Sequence, residues 1–183
     1  RFLGLELQIS PAAFYQVNQA VAQELCRTVA RYADLQPGEV AADLYCGTGT
    51  IGLTLAALSP QATVMGIEIV ESAVRDAVAN AERNHLSNIR FRCGDSATAE
   101  AEGLRFDCIV IDPPRKGCSP EMIQALVRLN PRRIVYVSCN PETLVRDLYT
   151  LSKGGYKVRK IQPVDMFPFT SHAEVVVALE RKA

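Results

Sequence analysis

The sequence predicts a doubly wound α/β domain, a mostly parallel sheet with an antiparallel edge. Apolar β-like runs alternate with amphipathic segments through the middle of the chain. Some of these runs, such as Cys108-Ile109-Val110-Ile111, are apolar without interruption, as befits strands buried on both faces of a parallel sheet. After Gly154-Gly155 the alternation stops, and two strand-like runs follow with no helix between them.

Taken in order, residues 17–32 carry apolar side chains at three- and four-residue steps and read as a helix before the sheet. Residues 40–45 form the first apolar run, and 51–58 a helix opened by a glycine-rich turn. The strand 62–68 leads to an amphipathic helix at 70–84, and 89–93 is the third strand. Strands 107–112 and 133–138 flank a helix at 121–129, and 142–151 is the last helix. Residues 156–162 and 174–180 are then expected to pair antiparallel at one edge. Residues 1–35 read as a strand/helix extension and 36–183 as the core, with no linker dividing them.

Composition bounds the function. The 183 residues are 48% hydrophobic and 22% charged, enough for one globular domain with a core. Twenty basic and twenty acidic residues cancel, which excludes binding nucleic acid through bulk positive charge. The zero is a sum of unlike halves. Residues 1–112 carry −6, residues 113–183 carry +6, and the first lysine is Lys116. The six cysteines have no C-x-x-C spacing, which argues against a metal or iron–sulfur site and against a disulfide framework. With no signal segment and no apolar run of membrane-spanning length, the expectation is a soluble, cytoplasmic protein. The chain opens on Arg1, and the expectation is a piece of a longer protein.

In doubly wound sheets ligands sit beyond the carboxyl ends of the strands, and three strand-end loops draw attention. The first is Asp43-Leu44-Tyr45-Cys46-Gly47-Thr48-Gly49-Thr50, where Gly47-x-Gly49-x-x-Gly52 matches the dinucleotide fingerprint and Glu68 ends the next strand. A glycine turn without a ligand is one reading. A dinucleotide would bring its pyrophosphate against Asp43, like charge on like. S-adenosylmethionine carries a sulfonium and an ammonium instead, and suits Asp43, a ribose-binding Glu68 and an adenine-binding Asp95 better. Each carboxylate also reads as a solvated acid or a helix cap, Asp95 most of all.

The second loop is Ser138-Cys139-Asn140-Pro141, with Asn140 as N-cap and Pro141 at the first helical position. Cys139 at a helix N-terminus is expected to have its thiolate stabilised, with Arg146 near enough to add to the effect. It reads either as a nucleophile or, like the other five cysteines, as a small buried hydrophobe. The third loop, Asp112-Pro113-Pro114-Arg115-Lys116, is stiffened by two prolines. Its Arg115 and Lys116 read as phosphate contacts or as two exposed cations in a turn. Gln16 and Asn18 read as caps of the first helix. Glu174 opens an otherwise apolar strand and is either an exposed edge residue or a group held near a site. His172 reads as structural.

Together, Phe14-x-Gln16-x-Asn18, Asp43-Leu44-Tyr45-Cys46-Gly47-x-Gly49, Asp112-Pro113-Pro114-Arg115, Ser138-Cys139-Asn140-Pro141 and Asp165-Met166-Phe167-Pro168…His172-x-Glu174 occur in an order that resembles the S-adenosylmethionine-dependent RNA uracil-5-methyltransferases, over nearly the whole chain. The resemblance implies a seven-stranded, Rossmann-like class I methyltransferase domain that makes 5-methyluridine in tRNA or ribosomal RNA. It implies Cys139 as nucleophile and Glu174 as general base. It implies Gln16, Tyr45, Thr50, Glu68, Asp95 and Asp112 as S-adenosylmethionine contacts, with Gly47 and Gly49 forming the turn. Gln16 and Asp112 fall where the target base is expected, with Arg115 and Lys116 toward RNA. Phe169 stands where the family often has histidine, and neither the OB-type RNA-binding domain nor the iron–sulfur cysteines of some members are among these residues.

Three other readings remain in view. An amino-group methyltransferase acting through the Asp-Pro-Pro loop would want an aromatic residue where Arg115 stands. A non-catalytic RNA- or cofactor-binding module has no use for the nucleophile loop, and an NAD-linked oxidoreductase is disfavoured by Asp43. The basic half of the chain, from Arg115 and Lys116 through Arg132, Arg133, Arg146, Lys153, Lys157, Arg159 and Lys160, is expected to form a phosphate track if it shares a face with Cys139.

Overall fold

The computed structural model describes residues 1–8, 18–99, 103–166, 168, 170 and 173–182. Seven strands form one sheet: β1 Val40–Leu44, β2 Thr63–Glu68, β3 Ile89–Cys93, β4 Cys108–Ile111, β5 Arg133–Ser138, β6 Tyr156–Val164 and β7 Glu174–Arg181. Five helices accompany them: α1 Gln19–Ala33, α2 Thr50–Leu58, α3 Glu71–Arg83, α4 Pro120–Leu129 and α5 Pro141–Lys153. The sheet order is β3-β2-β1-β4-β5-β7-β6. β1 to β5 run parallel, and β7 enters antiparallel between β5 and β6. The order reverses between β1 and β4, which is where such sheets open a ligand crevice.

Period-two alternation sorts the strand side chains into two cores. Ala41, Cys108, Val110, Val135 and Val137 face α1, α2 and α3. Ala42, Leu44, Ile109, Ile111, Ile134 and Tyr136 face α4 and α5. The uninterrupted apolar runs are therefore strands covered on both faces, as expected of a parallel sheet. Element bounds agree with the sequence pattern to within one or two residues at most ends. One turn was not anticipated, a 3-10 turn at Ser96–Thr98 capped by Asp95.

Local chemistry explains the helix starts. The Oδ1 of Asn18 accepts the Val21 N–H, and its Nδ2 donates to the Met166 carbonyl at 3.3 Å, so one side chain caps α1 and ties it to the β6–β7 connection. Ser119 and Asn140 cap α4 and α5, each followed by proline, whose missing N–H costs nothing there.

The N-terminal extension contains α1 but, among the described residues, no strand of the sheet; Phe2 and Leu5 form a single bridge. Asn80 in the last turn of α3 and Asn84, its C-cap, hold residues 8 and 6 instead. Asn80 accepts the Gln8 N–H at 2.7 Å and donates to the Gln8 carbonyl at 2.9 Å, and Asn84 does the same with Glu6 at 2.8 and 2.9 Å. Two side-chain amides thus stand in for a neighbouring strand.

At the opposite edge of the sheet from the glycine turn, Glu39 pairs with Arg132 and, at 2.6 Å, with the buried Arg133. Among the described residues, no helix is long and apolar enough to cross a membrane, and no group of three His, Cys, Asp or Glu could hold a metal ion.

Candidate active site

A cleft of about 610 Å³ lies across the carboxyl ends of β1, β2, β4 and β5 and the start of β7. Its cofactor-side wall is the turn after β1. Tyr45 adopts a left-handed backbone with φ 64°, an uncommon state for a bulky residue and one that costs ~1–3 kcal/mol. That twist reverses the chain out of the strand into Gly47 and Gly49. Gly49 has φ 84°, and a Cβ there would stand 2.6 Å from the Phe91 ring, so glycine is required twice over.

Asp43 and Glu68 hold this turn. The Oδ2 of Asp43 accepts the Gly52 N–H at 2.7 Å, while its buried Oδ1 has no partner. Burial first, offset by the Gly52 bond and reinforced by Glu68, pushes the Asp43 carboxyl up to about 7. Glu68 accepts the Gly47 N–H at 3.0 Å and the Val70 N–H at 2.9 Å, one on each oxygen. Its remaining lone pairs and the orphaned Asp43 oxygen give this wall of the cleft acceptors. A cationic, hydroxyl-bearing cofactor fits that set, and a pyrophosphate does not.

Tyr45, Gly47, Thr50 and Glu68 line the cleft, whereas Gly49, packed against Phe91, is not among the lining residues. Asp95 is not among the lining residues; its carboxylate accepts the Ala97 N–H at 2.9 Å as a helix cap. Gln16, Phe14, Phe167, Phe169 and His172 lie outside the described residues.

The other wall is the Asp-Pro-Pro loop, stapled to the start of α5. Asn140 Nδ2 and Thr143 Oγ1 donate to the Arg115 carbonyl at 3.2 and 3.3 Å. Arg146 Nη2 donates to the carbonyls of Lys116 and Cys118 at 3.0 and 3.1 Å. Beneath them the buried Asp147 accepts from Cys118 N, Tyr136 OH and Arg146 Nε at 2.8, 2.6 and 2.9 Å. Gly117, with φ 75°, passes so close that a Cβ would lie 2.7 Å from both Arg146 and Asp147. Asp112, Pro113, Pro114 and Arg115 face the cleft as a result, whereas Lys116 is exposed outside it.

Cys139 and Glu174 both line the cleft between these walls. The β5–β7 register sets Ser138 opposite Val175, so one residue further on Cys139 stands level with Glu174. Glu174 is 6% exposed, and burial raises its carboxyl above the usual range. Asp112 is pushed up to about 8 by desolvation, then by Glu174 and Asp43. The thiol of Cys139 is raised rather than lowered, by desolvation and by the charges of Glu174 and Asp112. This reverses the expectation drawn from the helix N-terminus: the peptide N–H and a cation act on the thiol but are outweighed. The cation is Arg115, not Arg146, whose guanidinium is bound to Asp147 and the loop carbonyls.

Four members of the basic track are corrected. Arg133 begins β5 and Arg132 precedes it, at the far edge from Cys139, and both are paired with Glu39. Arg159 pairs with Glu180, and Lys160 lies 5.3 Å over the Tyr32 ring. Sequence reasoning passed over several lining residues. Cys26 and Cys46 contribute buried sulfur, with burial pushing Cys26 up to about 12 and Cys46 higher still, as inert thiols. Met166 lines the cleft from the β6–β7 connection and Asp76 from α3. Both come from elements whose approach to β1 is set only by the tertiary fold.

Comparison with known proteins accords with this arrangement. Residues 97–182 match the family model for tRNA (Uracil-5-)-methyltransferase, and residues 22–134 match that for the methyltransferase small domain. An uncharacterized RNA methyltransferase of Halalkalibacterium halodurans is 44% identical over 182 residues, covering 97% of this chain and 39% of the relative. One from Enterococcus faecalis is 45% identical over 181 residues, covering 97% and 39%. The crystal structure of Pyrococcus abyssi tRNA (uracil-54, C5)-methyltransferase in complex with S-adenosyl-L-homocysteine superposes with a TM-score of 0.85 at 34% identity, covering 98% of this chain and 43% of that one. The chain thus spans about two fifths of the length of these relatives. It belongs to the methyltransferase small-domain family and carries, from residue 97 to residue 182, the sequence pattern of the tRNA (uracil-5-)-methyltransferases.

Proposed function

We propose that this domain methylates carbon 5 of a uridine in structured RNA, tRNA or ribosomal RNA, with S-adenosylmethionine as methyl donor and a covalent Cys139–uracil adduct on the way. The observation that carries the reading is the placement of Cys139 level with the buried Glu174 on the floor of a cleft walled by carboxylates.

S-adenosylmethionine, when bound, supplies an electrophilic methyl group on a sulfonium. Asp43, Glu68 and the turn at Gly47 and Thr50 would hold it, Glu68 through the ribose hydroxyls and Asp43 by its charge. Carbon 5 of uracil is a weak nucleophile. Addition of the Cys139 sulfur to carbon 6 breaks the 5,6 double bond and moves its electron pair toward carbon 5 and the O4 carbonyl. The thiol gives up its proton to solvent in the open cleft as the sulfur attacks, which leaves the Glu174 carboxylate free for the later step. Once carbon 5 is methylated, Glu174 takes the carbon 5 proton, the double bond re-forms and the carbon–sulfur bond breaks to release Cys139. A buried carboxylate with a raised pKa is a stronger base than a solvated one, which suits that step. A uridine inside a helix must first be splayed out to reach the floor.

The test is incubation with S-adenosylmethionine and RNA carrying 5-fluorouridine, whose carbon 5 has no proton to lose. A slow-migrating protein–RNA band, absent with Cys139→Ala, is the expected result. No band with the unchanged protein on any tRNA or ribosomal RNA would overturn the covalent mechanism.

A further inference from the structure

Outside the cleft, α5 turns two large apolar side chains to solvent although it buries a stripe of its own. Leu144 and Leu151 go to the core, while Val145 is 67% exposed and Tyr149, one turn on, 65%. Cations flank them. Lys153 Nζ stands 5.3 Å over the Tyr149 ring. The Arg146 side chain remains 55% exposed with its Nε and Nη2 fixed on Asp147 and the loop carbonyls, and Nη1 takes no part in those bonds. The acids of α5 are Asp147, which is buried, and Glu142 in the first turn.

This face starts at the cleft. α5 begins two residues after Cys139, and its first turns carry the loop that holds Lys116. From Pro141 to Tyr149 the helix advances ~12 Å, and ~6 Å more to Lys153. Lys116, Arg146 and Lys153 therefore lead away from the nucleophile with an exposed aromatic ring among them. Cations interleaved with an aromatic ring are what a single nucleic-acid strand uses, phosphates on the charges and a base on the ring. A second copy of this face would oppose like charges, and the cores of protein–protein interfaces are depleted in lysine.

We infer that the exposed face of α5, from Lys116 and Arg146 to Tyr149 and Lys153, docks the RNA strand flanking the target uridine, with Tyr149 as the stacking platform for one of its bases. This rests on the reading of the substrate as RNA. Arg146, anchored before any ligand arrives, adds its charge without first losing side-chain freedom.

Fluorescence anisotropy with a labelled, uridine-containing RNA oligonucleotide tests it. Tyr149→Ala weakens binding about tenfold, as loss of one stacked base does, and Tyr149→Phe stays within about twofold of the unchanged protein. Lys153→Ala flattens the slope of log affinity against log salt by about 0.7. Calorimetry with S-adenosylhomocysteine gives the same affinity for all variants, which excludes misfolding. RNA with 5-iodouridine beside the target crosslinks on irradiation to the peptide containing Tyr149. Unchanged RNA affinity in Tyr149→Ala, or equal losses in Tyr149→Ala and Tyr149→Phe, would overturn the inference and leave the face to another polypeptide. At saturating 5-fluorouridine RNA, Tyr149→Ala still forms the Cys139 adduct. If the unchanged protein forms none, the methylation mechanism fails, while the anisotropy series still decides the role of α5.

Discussion

Cys139 and Glu174 stand at the same level of two neighbouring antiparallel strands, the thiol one residue past the end of β5 and the carboxyl on the first residue of β7. The antiparallel entry of β7 brings its N-terminus to the carboxyl edge of an otherwise parallel set. A thiol and a carboxyl thereby come to one cleft from strands that share a ladder, the register of Ser138 with Val175 setting the level of both.

Their roles separate by substitution. Cys139→Ala abolishes turnover and adduct formation while S-adenosylhomocysteine binding, measured by calorimetry, stays within about twofold. Glu174→Gln keeps the size and polarity of the side chain but cannot take a proton. With ordinary uridine RNA and S-adenosylmethionine it accumulates the methylated Cys139 adduct, seen as a slow band on a denaturing gel. Rapid turnover by Glu174→Gln with no such band would move the base elsewhere.

The carboxyls of the cleft make cofactor binding and stability pH-dependent in opposite senses. Asp43 and Asp112, raised to about 7 and about 8, face Glu68 and Glu174 with no cation beside Asp43. A carboxyl raised in the folded state holds its proton there at a pH where the unfolded chain, with an ordinary value of about 4, has lost it. Between about pH 4 and 8 the folded protein binds more protons, so the ligand-free domain loses stability as pH rises through that window. Binding a cationic cofactor favours the ionised forms and expels those protons. Calorimetry at pH 6.5 in buffers of different ionisation enthalpy should therefore show net proton release on S-adenosylmethionine binding, with affinity increasing toward pH 8. Asp43→Asn should reduce both the release and the slope of melting temperature against pH. Proton uptake would refute this account.

The strands, the glycine turn and the helix-opening loop at Cys139 were legible in the sequence because their determinants are local. Asn140 and Pro141 identify a helix start, and uninterrupted apolar runs identify strands with two covered faces. Glu174 was ambiguous, because whether an acid opening an apolar strand is buried depends on which way that strand enters the sheet. The Cys139 shift comes first from burial and then from Glu174 and Asp112, 35 residues after it and 27 before it in the sequence, and none of these is local. Part of the expected phosphate track falls away for the same reason. Arg132 and Arg133 are close to Cys139 along the chain, but β5 carries them to the other end of the sheet. Arg146, expected to aid the thiolate, is instead the pin that holds the Asp-Pro-Pro loop.

That pin depends on Asp147, 2% exposed and accepting from three donors. Asp147→Ala strands the Tyr136 hydroxyl, the Cys118 N–H and one side of Arg146, and should cost about 3–5 kcal/mol by chemical denaturation. Tyr136→Phe removes one bond and should cost about 1–2 kcal/mol. The two should be strongly non-additive, since the single loss at Asp147 already contains the other. Additive effects would mean that the hydroxyl and the carboxylate act independently.

The N-terminal strap makes the last prediction. Asn80 is 1% exposed and both donates to and accepts from Gln8, as a strand neighbour would, while Asn84 does the same for Glu6 one turn on. Asn80→Asp keeps the acceptor for the Gln8 N–H but sets a carboxylate oxygen against the Gln8 carbonyl, so residues 5–8 should detach before the sheet unfolds. Phe2, buried at 3% and lining the cleft, is anchored by this segment together with its bridge to Leu5. Hydrogen exchange at Glu6 and Gln8 should therefore speed up at least tenfold, corresponding to about 1.4 kcal/mol of lost local protection, and cofactor affinity should fall with it. Amides in β4 and β5 should keep their protection. Equal acceleration across the whole sheet would instead show that the strap is part of the global fold rather than a separately opening flap on the cleft.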